Sequence, residues 1–536
     1  MRLIRLALLS LAPLSVPAAA QEPVDHEAVM KIREEGFERS EVMDTLWWLT
    51  DRFGPRLTNS PQERRALQWA EERLSAHGLA NARLEAWGEF GLGWSFEKCT
   101  LEMTLPIYAP LIAIPKAWTS GLAAPIVGEP ILVEAESVAD LEQYKGKLAG
   151  RIVLSGRVRE VLPHFEALCE RYDDEELGDI YELEVTSSSE STSGGERGSR
   201  RADFTRRREV SDKLKALLKE EGAACVIEAD GGSRKDYGVL MLGGGGSRKP
   251  DEERALPTVV VSAEQWNRVA RLLQKKEKVE LALDVRTTFH GEDLQGYNLL
   301  AEIPGGDLAH EVVMLGGHFD SWHPATGATD NAIGSAVAME AARILVATGL
   351  KPRRTIRVGL WTGEEQGLLG SKGFAKQHFG DAETREFTAE HANLAAYFNL
   401  DNGGGRIRGI YAQGNAACRP IFEAWLAPFH DLGAKTVTNK DTGGTDHQSF
   451  DGLGLPGFQF IQDPLDYSTR THHTNMDTYE RVLATDARQA AVIMASFAYH
   501  AAMRAEKLPR KTLPKLEPKE AAPSGAVQAS APSGTR

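Results

Sequence analysis

Apolar positions along the chain fall into three successive rhythms, and each predicts a different kind of element. The first is helical. Ser60-Pro61-Gln62-Glu63 supplies an N-cap, a first-turn proline and a capping-box acid, and Leu67, Trp69, Ala70 and Leu74 continue the pattern to a stop near Gly78. From about Tyr108 to His290 the texture changes to short apolar runs between glycine-rich turns. Residues 150–154, 224–227 and 256–261 are buried-strand candidates there, and 211–222 reads as an amphipathic helix between two of them. The third rhythm, from 292 to 505, repeats strand, loop and helix. Its apolar runs at 298–303, 312–315, 356–361, 394–400 and 457–461 read as strands buried on both faces, with a helix over 331–348 among those that follow. This alternation predicts an α/β chain, a three-layer arrangement with helices on both faces of one sheet. In such sheets, functional groups collect just past the carboxyl ends of the strands.

The flanks carry other signals. Arg2 and Arg5 precede an apolar stretch over 6–16 and the small residues Ala18-Ala19-Ala20, which together predict a signal peptide over 1–20 and an exported protein, periplasmic or extracellular. That stretch falls short of the roughly 20 residues a bilayer span needs, and no later segment reads as a membrane span. Residues 187–208 pass from serine and glycine into Arg197, Arg200, Arg201, Arg206, Arg207 and Arg208, which predicts a low-complexity surface insertion. The proline-, alanine- and lysine-containing end, 506–536, predicts a disordered tail.

The polar residues that interrupt the strand ends form one consistent set. His318-Phe319-Asp320 follows the second strand, Asp330 opens an alanine-rich helix, Glu364-Glu365 follows Trp361, Asp401 follows Phe398-Asn399-Leu400, and His472-His473 lies in the loop after the last strand. Two histidines with three carboxylates suit a pair of divalent metals, zinc above all. Asp320, two residues from His318, is placed to accept the proton of the non-ligating imidazole nitrogen. Neighbouring acids in a turn point in different directions, so one of Glu364 and Glu365 can bind metal while the other moves a proton.

Composition narrows the picture further. The chain has 62 Lys+Arg against 76 Asp+Glu and a net charge of −14, which argues against a nucleic-acid partner or an anionic membrane surface. Four cysteines with no Cys-x-x-Cys pair leave His, Asp and Glu as the residues from which a metal site must be built.

Residues 291–505 resemble the co-catalytic zinc exopeptidase family that includes bacterial leucyl aminopeptidases and glutamate carboxypeptidases. The matching stretches are Gly317-His318-Phe319-Asp320-Ser321-Trp322, Gly327-Ala328-Thr329-Asp330-Asn331, Trp361-Thr362-Gly363-Glu364-Glu365-Gln366-Gly367 and His473-Thr474-Asn475-Met476-Asp477-Thr478. The resemblance implies the zinc exopeptidase fold, a mixed sheet between helical layers, and two Zn2+ per chain. It implies that Asp330 bridges the metals, that His318 and Asp401 complete one site and Glu365 and His473 the other, and that Glu364 is the general base. His473 rather than His472 begins the family phrase, and His318 rather than His323 precedes the orienting acid Asp320. Gly443-Gly444-Thr445-Asp446-His447 resembles a substrate-side loop, which implies that Asp446 and His447 line the pocket, and Tyr467 becomes a candidate stabiliser of the tetrahedral intermediate.

Residues 108–290 are similar to a mainly-β protease-associated domain, most recognisably over 147–154, with the arginine-serine insertion as a departure. The expected organisation is therefore a signal peptide at 1–20, a catalytic unit in two parts at 21–107 and 291–505, the insert at 108–290 and a tail at 506–536. The expected activity is hydrolysis of dipeptides or short peptides, with aminopeptidase, dipeptidase and carboxypeptidase action all open, and the resemblance implies a homodimer. Two rival readings are a glutaminyl cyclase-like zinc enzyme and a receptor-like ectodomain without chemistry. The intact Glu364-Glu365 pair and Asp401 disfavour the first, and the complete ligand set disfavours the second.

Overall fold

A computed structural model describes residues 22–182, 194–230 and 238–513. The expected signal peptide and most of the expected tail lie outside the described residues.

The large unit is built on an eight-stranded mixed sheet. Its strands lie in the order Ala80–Glu89, Gln295–Ile303, Arg354–Trp361, Leu308–His318, Leu394–Asn399, Gly457–Gln462, Ile407–Tyr411 and Thr436–Thr438. The strands Arg354–Trp361, Leu308–His318, Leu394–Asn399 and Gly457–Gln462 run parallel to one another, with antiparallel strands on either side. All five sequence-predicted strands are present.

Alternation along these strands explains the three layers. Val313, Leu315, Val358 and Phe398 pack on one side with helices Ile333–Ala347 and Ala484–Met503 and the N-terminal helix His26–Glu38. Their neighbours Met314, Trp361 and Tyr397 face the other side, against Phe374 of helix Leu369–His378 and Phe450 of the short helix His447–Asp451. Each such fully buried side chain contributes roughly 1.5–3 kcal/mol. The helix Pro61–Ala76 forms as its cap signals predict: Ser60 accepts the Glu63 N–H at 3.2 Å, and the Glu63 carboxylate accepts the Asn59 N–H at 2.6 Å.

The second unit holds two sheets. An antiparallel one runs Ala109–Leu111, Gly93–Leu105, Glu280–His290, Ile126–Gly128. A five-stranded one runs Ala113–Pro115, Thr258–Val261, Cys225–Ala229, Ile152–Ser155, Ile131–Val133, of which the last four strands are parallel. Ile152, Leu154, Cys225 and Ile227 share a core with Leu101, Leu281 and Leu283 of the antiparallel sheet, while Val153 and Val226 face Leu217 and Leu218 of helix Gly194–Glu220. Because Gly93–Leu105 pairs along its length with Glu280–His290, this unit begins near residue 93 rather than 108.

Two further expectations are corrected. Residues 194–208 of the arginine-rich segment belong to the helix Gly194–Glu220 and not to a loop; residues 187–193 lie outside the described residues. Residues 506–513 are not the start of a loose tail. Leu508 is buried, Arg510 donates to the carbonyls of His391 and Leu394, and Lys511 pairs with Asp451, so this stretch packs on the large unit. Among the described residues no helix is long and apolar enough to cross a membrane.

Candidate metal centre

The centre forms where the parallel strands end. His318 closes the strand Leu308–His318 and is 1% exposed. The glycines before it are required by close approach: a Cβ on Gly316 would lie 1.9 Å from the Gly359 carbonyl oxygen, and one on Gly317 would lie 2.9 Å from that of Leu400. His318 Nδ1 donates to the main-chain carbonyl of Asp320 at 2.9 Å, which turns Nε2 inward toward Asp330 Oδ1 (3.3 Å) and Asp401 Oδ1 (3.4 Å).

The Asp320 side chain does something different from what its spacing suggested. Its nearer oxygen is 3.5 Å from His318 Nδ1, while the carboxylate accepts the N–H groups of Glu364 (3.2 Å) and Glu365 (3.3 Å) and the Thr58 hydroxyl (2.8 Å). One residue therefore orients the imidazole through its backbone and the acidic pair through its carboxylate. Glu365 is oriented further by the Trp322 N–H, which donates to Oε1 at 3.2 Å, and its Oε2 lies 2.8 Å from His473 Nε2.

Asp330 sits in an irregular segment, Ala328–Ala332, ahead of helix Ile333–Ala347, and its peptide bond to Asn331 is cis. Its position is fixed from behind. Asp477 accepts the N–H groups of Thr329 (2.7 Å) and Asp330 (3.0 Å), and Asn331 donates to the Leu400 carbonyl (2.8 Å), next to Asp401. Asp330 Oδ2 is enclosed, accepts no hydrogen bond, and lies 3.3 Å from His473 Nε2. His472 is farther from it, at 4.0 Å, and stacks on His473 with ring centroids 3.7 Å apart. Ligand atoms of His318, Asp330 and Glu365 lie within 4.8 Å of one another, as do those of Asp330, His472 and His473.

The electrostatics show too little positive charge for so many carboxylates. Burial pushes the Glu365 carboxyl well above its usual value, with Asp330, Asp320 and Asp401 adding to the effect and His318 opposing it. Glu364 is raised in the same way by burial; His318 opposes, and Asp401, Asp446 and Glu365 add. Burial alone would lower the His318 imidazole, but Asp401, Glu364, Asp320 and Asp330 outweigh it and hold it well above 6.5. Buried acids crowded around two imidazoles, with one inward oxygen unbonded, fit a donor set for divalent cations.

The substrate-side expectations divide. The Tyr467 ring lies 5.0 Å from that of His472, beside the cluster, and its hydroxyl is held protonated by burial and by the charges of Asp330, Asp401 and Glu365. Asp446 is fully buried and pushed up to about 7 by burial, with Asp401 and Asp320 adding to the effect against His318 and Ser371. His447, also buried, is turned toward Gln413 (2.8 Å) and the Thr442 carbonyl (3.0 Å) rather than toward the ligands. The cleft beside the cluster is lined by Trp322, Pro324, Ala325, Asp330, Glu365 and His473.

Residues that sequence reasoning passed over hold this arrangement. Arg56 is fully buried, and its guanidinium donates to the carbonyls of Phe319 (2.8 Å), Leu49 (2.9 Å), Thr326 (2.8 Å) and Gly327 (2.9 Å), tying both ends of the loop between His318 and Asp330. Thr58, Trp322 and Asp477 act on the ligands as described above. An isolated arginine in a Gly-Pro-Arg turn carries no sequence signal for such a role.

A sequence model of Peptidase family M28 matches residues 298–498. The chain is similar to carboxypeptidase Q of Rattus norvegicus, 24% identical over 488 residues that cover 90% of each protein. Among solved structures it is similar in fold to a peptidase M28 precursor from Shewanella amazonensis SB2B, with TM-score 0.63 and 24% identity over 91% of this chain and 98% of that one. It is also similar to BSAP, a zinc aminopeptidase from Bacillus subtilis, with TM-score 0.53 and 16% identity over 87% and 95%. The segment matched by the Peptidase family M28 model contains every residue of the cluster from His318 to His473.

Proposed function

We propose that this chain is an exported metallo-exopeptidase that holds two zinc ions and hydrolyses dipeptides or short peptides. The observation that carries this reading is Asp330, whose two oxygens face two different histidines, each of which has a further carboxylate beside it. Asp330 would be shared, His318 and Asp401 would complete one site, and Glu365 and His473 the other. When bound, the zinc pair supplies Lewis acidity toward the scissile carbonyl and acidifies water.

The chain's own residues do the rest. Glu364 is held by its N–H on Asp320, and burial raises its carboxyl above the usual value, which strengthens it as a proton acceptor. It takes the proton of the attacking water and passes it to the departing amine. Tyr467 keeps its proton and donates to the oxyanion that develops on the carbonyl. Trp322 forms an apolar wall of the cleft. The relatives support this reading: one is named a carboxypeptidase and one neighbour a zinc aminopeptidase. Export rests on the sequence of residues 1–20, and the inserted unit is assigned to the protease-associated class on residues 147–154.

The test is a substrate panel of free dipeptides, N-blocked dipeptides and aminoacyl anilides, with and without chelator. Chelator-sensitive cleavage of at least one class supports the reading, and cleavage of N-blocked substrates excludes aminopeptidase action. Cyclisation of N-terminal glutamine without any peptide cleavage contradicts it.

A further inference from the structure

The second unit reaches into the metal centre. Gly238–Leu242 lies beside His473–Asn475 as a short antiparallel pairing: Met241 is bridged to Thr474, the Leu242 N–H donates to the His473 carbonyl (3.0 Å), and the Asn475 N–H donates to the Leu240 carbonyl (3.1 Å). The Asn475 side chain closes this pairing. Its Oδ1 accepts the Leu240 N–H at 2.7 Å and its Nδ2 donates to the Gly238 carbonyl at 3.0 Å.

The segment is itself anchored in the second unit. The Met241 N–H donates to the buried Asp230 carboxylate at 2.7 Å, just past the strand Cys225–Ala229, and Leu240 and Leu242 pack with Val260 and Ile114. A second grip lies in a different loop of the second unit, after the strand Ile152–Ser155. The Glu170 N–H donates to the Leu465 carbonyl, and Arg171 pairs with Asp463 (2.7 Å) and Asp486 (2.8 Å).

His473 needs such a fixture. It adopts φ +59°, the left-handed region that a residue with a Cβ enters at a cost, and it sits in an irregular loop outside the sheet. Within the large unit the loop is tied to the Asp330 side, where Thr329 donates to Thr471 and Asp477 accepts the N–H groups of Thr329 and Asp330; the side of His473 that faces the second unit is held by Gly238–Leu242. Pairing with Gly238–Leu242 holds the backbone from the His473 carbonyl to Asn475, and with it the direction in which Nε2 points.

We propose that the second unit acts as a positioning device for the metal centre and that Asn475 is its key positioning residue. This inference rests on the dinuclear reading above. In the full chain, Asn475→Ala removes both side-chain hydrogen bonds and strands the Leu240 N–H while leaving every ligand in place. Loss of partners that orient a metal ligand lowers metal affinity by about 10–100-fold.

The test titrates zinc against a competing chelator in wild type, Asn475→Ala and Asn475→Asp, alongside thermal melting of the metal-free proteins. The expected result is two zinc ions in wild type and a 10–100-fold weaker second ion in Asn475→Ala, with metal-free melting lowered by no more than one stranded buried N–H explains. Asn475→Asp, which keeps the acceptor for Leu240 but not the donor to Gly238, should fall between. Wild-type protein that takes up fewer than two ions contradicts the dinuclear reading. Two ions bound equally tightly by wild type and by whichever variant folds contradict the positioning role alone.

Discussion

Asp330 presents Oδ1 to His318 Nε2 and Oδ2 to His473 Nε2, each at 3.3 Å, so one carboxylate spans the two halves of the cluster. The separation is set by Asp477 from behind, through the N–H groups of Thr329 and Asp330. Asp330→Ala should therefore reduce bound zinc at both positions, where loss of His473 should affect one. Metal analysis after dialysis should find well under one ion per chain in Asp330→Ala. Retention of two ions would show that Asp330 is not shared.

Arg56 satisfies main-chain carbonyls at both ends of the loop from His318 to Asp330. An unsatisfied buried polar group costs about 1–3 kcal/mol, so Arg56→Met should cost several kcal/mol, measured as a loss in chemical unfolding. Arg56→Lys should not restore it, because one ammonium has three donors at a single point and cannot reach carbonyls spread around a planar fork.

Arg343 joins two helices in the large unit. It donates to Glu340 and to Glu35 at 2.8 Å each, and both acids are nearly inaccessible. Arg343→Met leaves the buried Glu340 carboxylate without a counter-charge and Glu35 with Arg39 alone, and should cost about 3–5 kcal/mol. A destabilisation under about 1 kcal/mol would place the pair in the surface class instead.

His323 gives the stability a pH dependence. It is buried against Trp94 and Phe96, its Nε2 donates to the Pro115 carbonyl at 2.6 Å, and burial pushes its pKa down to about 4. The unfolded chain takes up a proton near pH 6.5 that the folded state refuses. Stability from this group is full above about pH 6.5 and falls as pH drops toward 4, by roughly 3 kcal/mol in all. His323→Gln keeps a donor for Pro115 and has no proton to gain. The stability difference between wild type and this variant, read by urea unfolding at pH 7.5 and pH 4, should therefore shift by about that amount; an unchanged difference would contradict the assignment.

Much of this fold was legible because its strands are continuous apolar runs, and a parallel strand covered on both faces leaves that trace. The polar residues at their ends, from His318 to Asp401, stood out because carboxylates and histidines interrupt an otherwise apolar pattern. What stayed hidden depends on contacts distant in sequence. Arg56 acts through carbonyls more than 260 positions away, and the pairing of Leu240 with Asn475 spans 235, so neither leaves a local period. Asp320 was legible as an orienting residue, but not that its backbone serves His318 while its carboxylate serves Glu364 and Glu365. The packing of residues 506–513 was masked by their proline and lysine, which read as tail although Arg510 reaches the carbonyl of buried Leu394 and Lys511 pairs with Asp451.

The central claim is that the ligands hold metal while Glu364 moves the proton. Glu364→Gln separates the two, since the amide keeps the side chain's size and loses its basicity. Zinc content and peptide turnover should be measured together on wild type and Glu364→Gln. The account predicts two zinc ions per chain in both and turnover at least about 100-fold lower in the variant. Two zinc ions with undiminished turnover in Glu364→Gln would contradict it.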